Sequence, residues 1–137
     1  MTNGSDRLLR TALTINAAVS GACGLALVVG GSELYRPFGL SGAEPLWTVG
    51  ALLMVFAGLL VQSLRRRPLE RRDGVFFLAS DVAYVLATLA LYLLWPQALS
   101  ALGRMALLLT TDVVAALAVA EYLGVRRMAS ARVATAS

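Results

Sequence analysis

The sequence predicts an all-α fold, an integral membrane four-helix bundle with both N- and C-termini cytoplasmic, and three observations predict it. Four apolar runs of roughly 20 residues each match the thickness of a hydrocarbon core at ~1.5 Å of rise per residue. Hydrophobic residues make up 58% of the 137, and the mean hydropathy is +0.74, more apolar surface than a soluble domain of this size can hide. Arg65, Arg66, Arg67, Arg71 and Arg72 crowd the connection between the second and third runs, whereas Arg36 and Arg104 are single arginines in or beside the other two. Short loops rich in arginine stay on the cytoplasmic side. The hinge is therefore inside, and an even number of crossings returns each terminus to it.

The first span is expected at about 11–30, after a polar start carrying Arg7 and Arg10. Its apolar run is longer than the ~7–15 residues of a signal peptide, so it reads as a retained crossing. An outer connection with Tyr35, Pro37, Phe38, Gly39, Gly42 and Pro45 follows, its glycines and prolines breaking helix and its aromatics suiting the headgroup layer. The second span runs from 46 to 64 with Trp47 at its outer end. The third runs from 75 to 95 and stops at Trp95 and Pro96. The fourth covers 99–123, with Arg104 near its start reaching outward to the headgroups. These spans form one domain, 1–127, and 128–137, rich in Ala, Ser, Thr and Arg, is expected to be a disordered cytoplasmic tail. Alanines spaced four apart, Ala18, Ala22 and Ala26, then Ala79, Ala83 and Ala87, then Ala116 and Ala120, predict the faces where helices approach closely.

Composition narrows function. Every basic residue is an arginine and almost all flank apolar runs, which fits anchoring to anionic headgroups and not a nucleic-acid footprint. Histidine is absent and Cys23 is the single cysteine, so no metal site, cofactor or redox pair is expected. Without a nucleophile and base that can be assembled, the chain does not read as an enzyme.

Polar side chains at membrane depth are candidate functional groups by default. Asp81 and Asp112 lie ~9 Å and ~16 Å from the cytoplasmic ends of their helices. Helical spacing puts Asp81, Tyr84, Thr88 and Tyr92 on one stripe, and Asn16, Ser20 and Cys23 on another. Matching depths predict two polar layers, Asn16 with Asp81 and Tyr84 with Asp112, the second assisted by Thr110 or Thr111. With no arginine at its depth, Asp112 is expected there as the neutral acid. Glu121, roughly opposite Asp112 on its helix, is expected near the inner interface, screened by Arg126 and Arg127.

In size and span number the chain is similar to small multidrug resistance transporters, whose protomers carry an essential acid in the first span, where this chain has Asn16. It most resembles a set of small, uncharacterised four-span proteins of the bacterial inner membrane. The resemblance covers about residues 8–127 and is carried by Asn16 with the small-residue run to Leu25, the glycine-rich second span with its arginine cluster (Gly50 to Arg67), and the acid and aromatic Asp81 and Tyr84. It implies topology only.

Two readings follow. In one, the chain is a proton- or cation-coupled transporter or channel subunit, or a binder of small amphipathic ligands, with Asp112, Asp81, Tyr84, Asn16, Thr88 and Thr111 as the site. In the other it is a non-catalytic scaffold or partner subunit whose polar residues only lock helices together. The bilayer is the first partner in both. Because four helices enclose little space, a homodimer or a partner membrane subunit would complete the enclosure.

Overall fold

The computed structural model describes residues 4–66 and 69–136, and consists of four helices: α1 (Gly4–Leu34), α2 (Glu44–Arg65), α3 (Arg71–Leu94) and α4 (Ala101–Ala136). Arg67, one of the five hinge arginines, lies outside the described residues together with Pro68. Each helix contains a stretch long and apolar enough to cross a membrane, namely Asp6–Leu34, Glu44–Arg65, Arg71–Leu94 and Ala101–Ser130.

The helix ends follow local chemistry. Asp6, Glu44 and Asp73 stand in the first turns of α1, α2 and α3, where an acid complements the helix dipole. Pro45 opens α2, where its missing N–H costs nothing. After α1 the chain turns through Gly39, whose φ of +80° is natural only for glycine, while Leu40 N–H returns to Tyr35 O at 2.9 Å. That turn is strapped to α4: Ser100 N–H donates to Phe38 O at 2.8 Å, and Ser100 Oγ accepts from Gly103 N–H at 3.1 Å as the N-cap. The cap is why α4 starts at Ala101 and not at Leu99. At its other end α4 continues without a break to Ala136, so the segment expected as a disordered tail from 128 is helical through 136.

Two antiparallel hairpins, α1 with α2 and α3 with α4, join through α1 against α4, and α2 and α3 scarcely touch. Near the hinge they are linked by Phe56 and Phe77, edge to face with ring centroids 5.6 Å apart. The core sits at this end of the bundle: Leu9, Leu13, Leu60, Leu69, Phe77 and Val125 pack together there. Arg10 closes it, donating to Asp6 Oδ2 and to the Leu64 and Arg66 carbonyls at the end of α2.

Close approach uses glycine and not the alanine series. Gly24 and Gly50 face each other where α1 crosses α2, each so near the other's carbonyl that a Cβ would stand 2.9 Å from it. Ala18, Ala22, Ala26, Ala79, Ala83, Ala87 and Ala116 are exposed instead, a correction to the expected faces. Large apolar side chains also cover the outside of the bundle, with Leu93 74%, Val29 73% and Leu52 65% exposed. A surface of this kind is compatible with contact to hydrocarbon.

Candidate functional site

The site is built on α1, where Asn16 and Ser20, one turn apart, both face inward. Asn16 Nδ2 has two N–H groups and spends both on acids: one reaches Asp81 Oδ2 on α3 at 2.7 Å, the other Glu121 Oε1 on α4 at 2.9 Å. Its Oδ1 accepts from Ser20 Oγ at 3.0 Å, so the amide is engaged at both ends. All four side chains are buried, Glu121 completely. Glu121 Oε2 has no hydrogen-bond partner. No ion pair among the described residues engages either acid; Arg10 is committed to the α2 terminus, and Arg126 and Arg127 are exposed.

Asp81 also lines a cavity of about 390 Å³ in the gap between α2 and α3. Val49, Leu52 and Phe56 form its α2 wall, Tyr84 and Asp81 its α3 wall, and Ser20 and Cys23 of α1 with Thr110 of α4 its back. Leu52, on that wall, is also among the most exposed apolar residues, so the cavity is a lateral cleft at the bundle surface. The hydroxyls of two of its lining residues, Tyr84 and Thr110, pair with each other at 3.2 Å. Asp81 is thus shared between the cleft and the Asn16 network, and the path from cleft to interior runs Asp81, Asn16, Glu121.

Of the six residues singled out in the sequence, the structure brings Asn16 and Asp81 into contact and sets Tyr84 beside Asp81 in the cleft. Thr88 is buried further along the α3 stripe, and Thr111 is buried with its hydroxyl returned to Leu107 O of its own helix. Asp112 is misassigned by the sequence reading: it is exposed on the outer face of α4 and does not meet Tyr84, whose partner is Thr110. A carboxyl so placed costs about 3 kcal/mol at the centre of a membrane helix. Glu121 is the member of this buried network that reading missed. It is nine residues from Asp112, half a turn out of phase at 100° per residue, so choosing Asp112 as inward forced Glu121 outward. The signal was in its neighbours: Ala118 and Gly124 on its own side are small enough for helix contact, and Gly124 is where α4 meets Leu9 of α1.

Among the described residues no group of three or more His, Cys, Asp and Glu is placed to hold a metal ion. Comparison with protein-family models, curated proteins and solved structures returns no match to this chain.

Proposed function

We propose that this is a multi-pass protein of the bacterial inner membrane, both termini cytoplasmic, that takes a small cationic or amphipathic ligand into the cleft between α2 and α3. One observation carries the reading: two carboxyls, Asp81 and Glu121, converge on one amide in the bundle interior with no guanidinium beside them. The two carboxyls bring four oxygens to the two N–H groups of one amide, so acceptor capacity exceeds the donors, and Glu121 Oε2 is left unused. Asp81 would face the cationic group of the ligand, while Asn16 passes the change in its hydrogen bonding to Glu121, a site for a proton. The apolar cleft walls suit the ligand's hydrocarbon part, which enters from the side.

A scaffold is the second reading, favoured by the closure of Asn16: both donors and the acceptor are satisfied within the chain. Binding separates the two. With the chain reconstituted in vesicles, tetraphenylphosphonium should bind, and Asp81→Asn should weaken binding about tenfold or more with the melting temperature in detergent little changed. Equal binding by Asp81→Asn, or none by the native chain, leaves the scaffold reading standing.

A further inference from the structure

The exposed face of α4 holds a second feature. Met105, Leu109, Asp112, Ala116, Val119 and Leu123 recur at alternating spacings of four and three, and every one is exposed. That spacing is the seam of a helix pair packed in left-handed register. Asp112 stands in its middle, ~16 Å along the helix from Ala101 and ~21 Å from Arg126. It has no hydrogen-bond partner among the described residues, and Arg104 is two turns away on its own helix. The exposed threonines of the apolar segments, Thr11, Thr14 and Thr48, each return their hydroxyl to a carbonyl of their own helix, and the exposed Ser32, Tyr92 and Tyr122 lie toward the ends of those segments. Asp112 is the one polar group on the outside of the bundle's middle, among the described residues, whose partner must come from another molecule.

We propose that this partner is Asp112 of a second copy of the chain, in a dimer packed α4 against α4 along the seam. The proposal rests on the membrane reading above. Copies inserted with the same side inward are related by a twofold axis along the membrane normal, and such an axis sets each seam residue opposite its own equivalent. The two Asp112 carboxyls then meet at one depth whatever the crossing angle. A carboxylic acid is self-complementary: the O–H of one donates to the C=O of the other. An unlike partner would have to supply its own donor at that depth, and nothing in the rest of the seam, which is wholly apolar from Met105 to Leu123, selects for one. Ala116 next to it leaves room for the helices to close.

The test uses the full chain, labelled with donor or acceptor dyes at its N-terminus, in vesicles of phosphatidylcholine and phosphatidylglycerol over a dilution series. Energy transfer should follow a monomer–dimer equilibrium. Asp112→Leu should weaken association about tenfold, and Asp112→Asn, an amide with both donor and acceptor, should stay near the native value. In a Cys23→Ser background, single cysteines at 109, 112, 116 and 119 should form disulfides between copies, while cysteines at 52 on α2 and 82 on α3 should not. A native chain that shows no transfer, an Asp112→Leu variant that associates as tightly as native, or cross-links strongest off the seam would each overturn the dimer. A chain that inserts but does not associate removes the dimer alone; one that fails to enter vesicles removes the membrane reading with it.

Discussion

Asn16 on α1 and Glu121 on α4 are 105 residues apart in sequence and joined by a hydrogen bond of 2.9 Å in a fully buried setting. This bond ties the first hairpin to the second at the contact that holds the halves together. Deleting either partner leaves the other's polar atoms without compensation, so the two substitutions should not add. A double-mutant cycle with Asn16→Ala and Glu121→Ala, followed by unfolding in mixed detergent, should give a coupling of roughly 1 kcal/mol, within the range of hydrogen bonds between membrane helices. The same cycle with Asn16→Ala and Asp112→Ala should be additive to within about 0.5 kcal/mol, because the two side chains lie on opposite sides of α4. A coupling larger for Asp112 than for Glu121 would reverse the assignment of the inner face.

Gly124 gives a steric prediction independent of that network. A Cβ there would stand 2.9 Å from Leu9 Cβ and 3.0 Å from Leu9 Cα, and backbone cannot swing aside as a long side chain can. Gly124→Ala should push α1 off α4 and cost about 1–3 kcal/mol, read as a lowered melting temperature. Gly58, by contrast, would meet nothing within 4 Å. Gly58→Ala should be neutral or stabilise α2 by up to about 1 kcal/mol through the gain in helix propensity. The pair of variants separates tight packing from propensity, since both replace a helical glycine with the same residue.

How much of this was legible in the sequence depended on which physical signal each feature carries. Four apolar runs predict four helices because length and hydropathy are one-dimensional quantities, and the observed helices differ mainly at their ends. Those ends moved for reasons that composition does not carry: Ser100 caps α4 by joining both to Gly103 N–H and to the α1–α2 loop, a contact between segments more than 60 residues apart. The pairing of Asn16 with Asp81 followed from depth plus helical phase. Depth alone chose Asp112 over Glu121, and it chose wrongly because the nearer-to-centre acid is not bound to be the inward one. Rotation of α4 is set by Gly124 against Leu9; depth does not record that, whereas the small residues Ala118 and Gly124 beside Glu121 do. The alanine series failed likewise, since in a chain this rich in alanine small residues occur on the outside of the helices as well as on the inside.

Arg10 binds two carbonyls that α2 itself leaves free, Leu64 O at 3.0 Å and Arg66 O at 3.1 Å, and is held in place by Asp6 at 3.1 Å. The interaction closes the C-terminal end of α2, where unpaired carbonyls carry partial negative charge. Arg10→Met keeps the apolar stem but removes the guanidinium, and should cost about 1–2 kcal/mol. Arg10→Lys should recover only part of that, because an ammonium cannot hold two carbonyls and a carboxylate in one plane. Hydrogen exchange at the end of α2 is the direct readout: amides of 62–66 should exchange faster in Arg10→Met while those of α3 are unaffected.

Cys23 offers the sharpest check on the cleft, because it lines the cavity with Asp81 and Tyr84 and is the only thiol in the chain. Alkylation requires the thiolate, and a thiolate forms only where water reaches the sulfur. Behind a wall as apolar as Val49, Leu52 and Phe56, a dry cavity would leave Cys23 inert; Ser20, Tyr84, Thr110 and Asp81 around it supply enough polar atoms to hold water. N-ethylmaleimide, which is small and uncharged, should therefore label Cys23 in vesicles, whereas a sulfonated maleimide that cannot enter the membrane should not. If tetraphenylphosphonium occupies the cleft, saturating amounts should slow labelling about fivefold or more, and Asp81→Asn should abolish that protection while leaving labelling itself intact. Labelling that proceeds at the same rate with and without the cation would place the ligand elsewhere, since a molecule held against Asp81 in 390 Å³ leaves no room for a maleimide at the neighbouring sulfur.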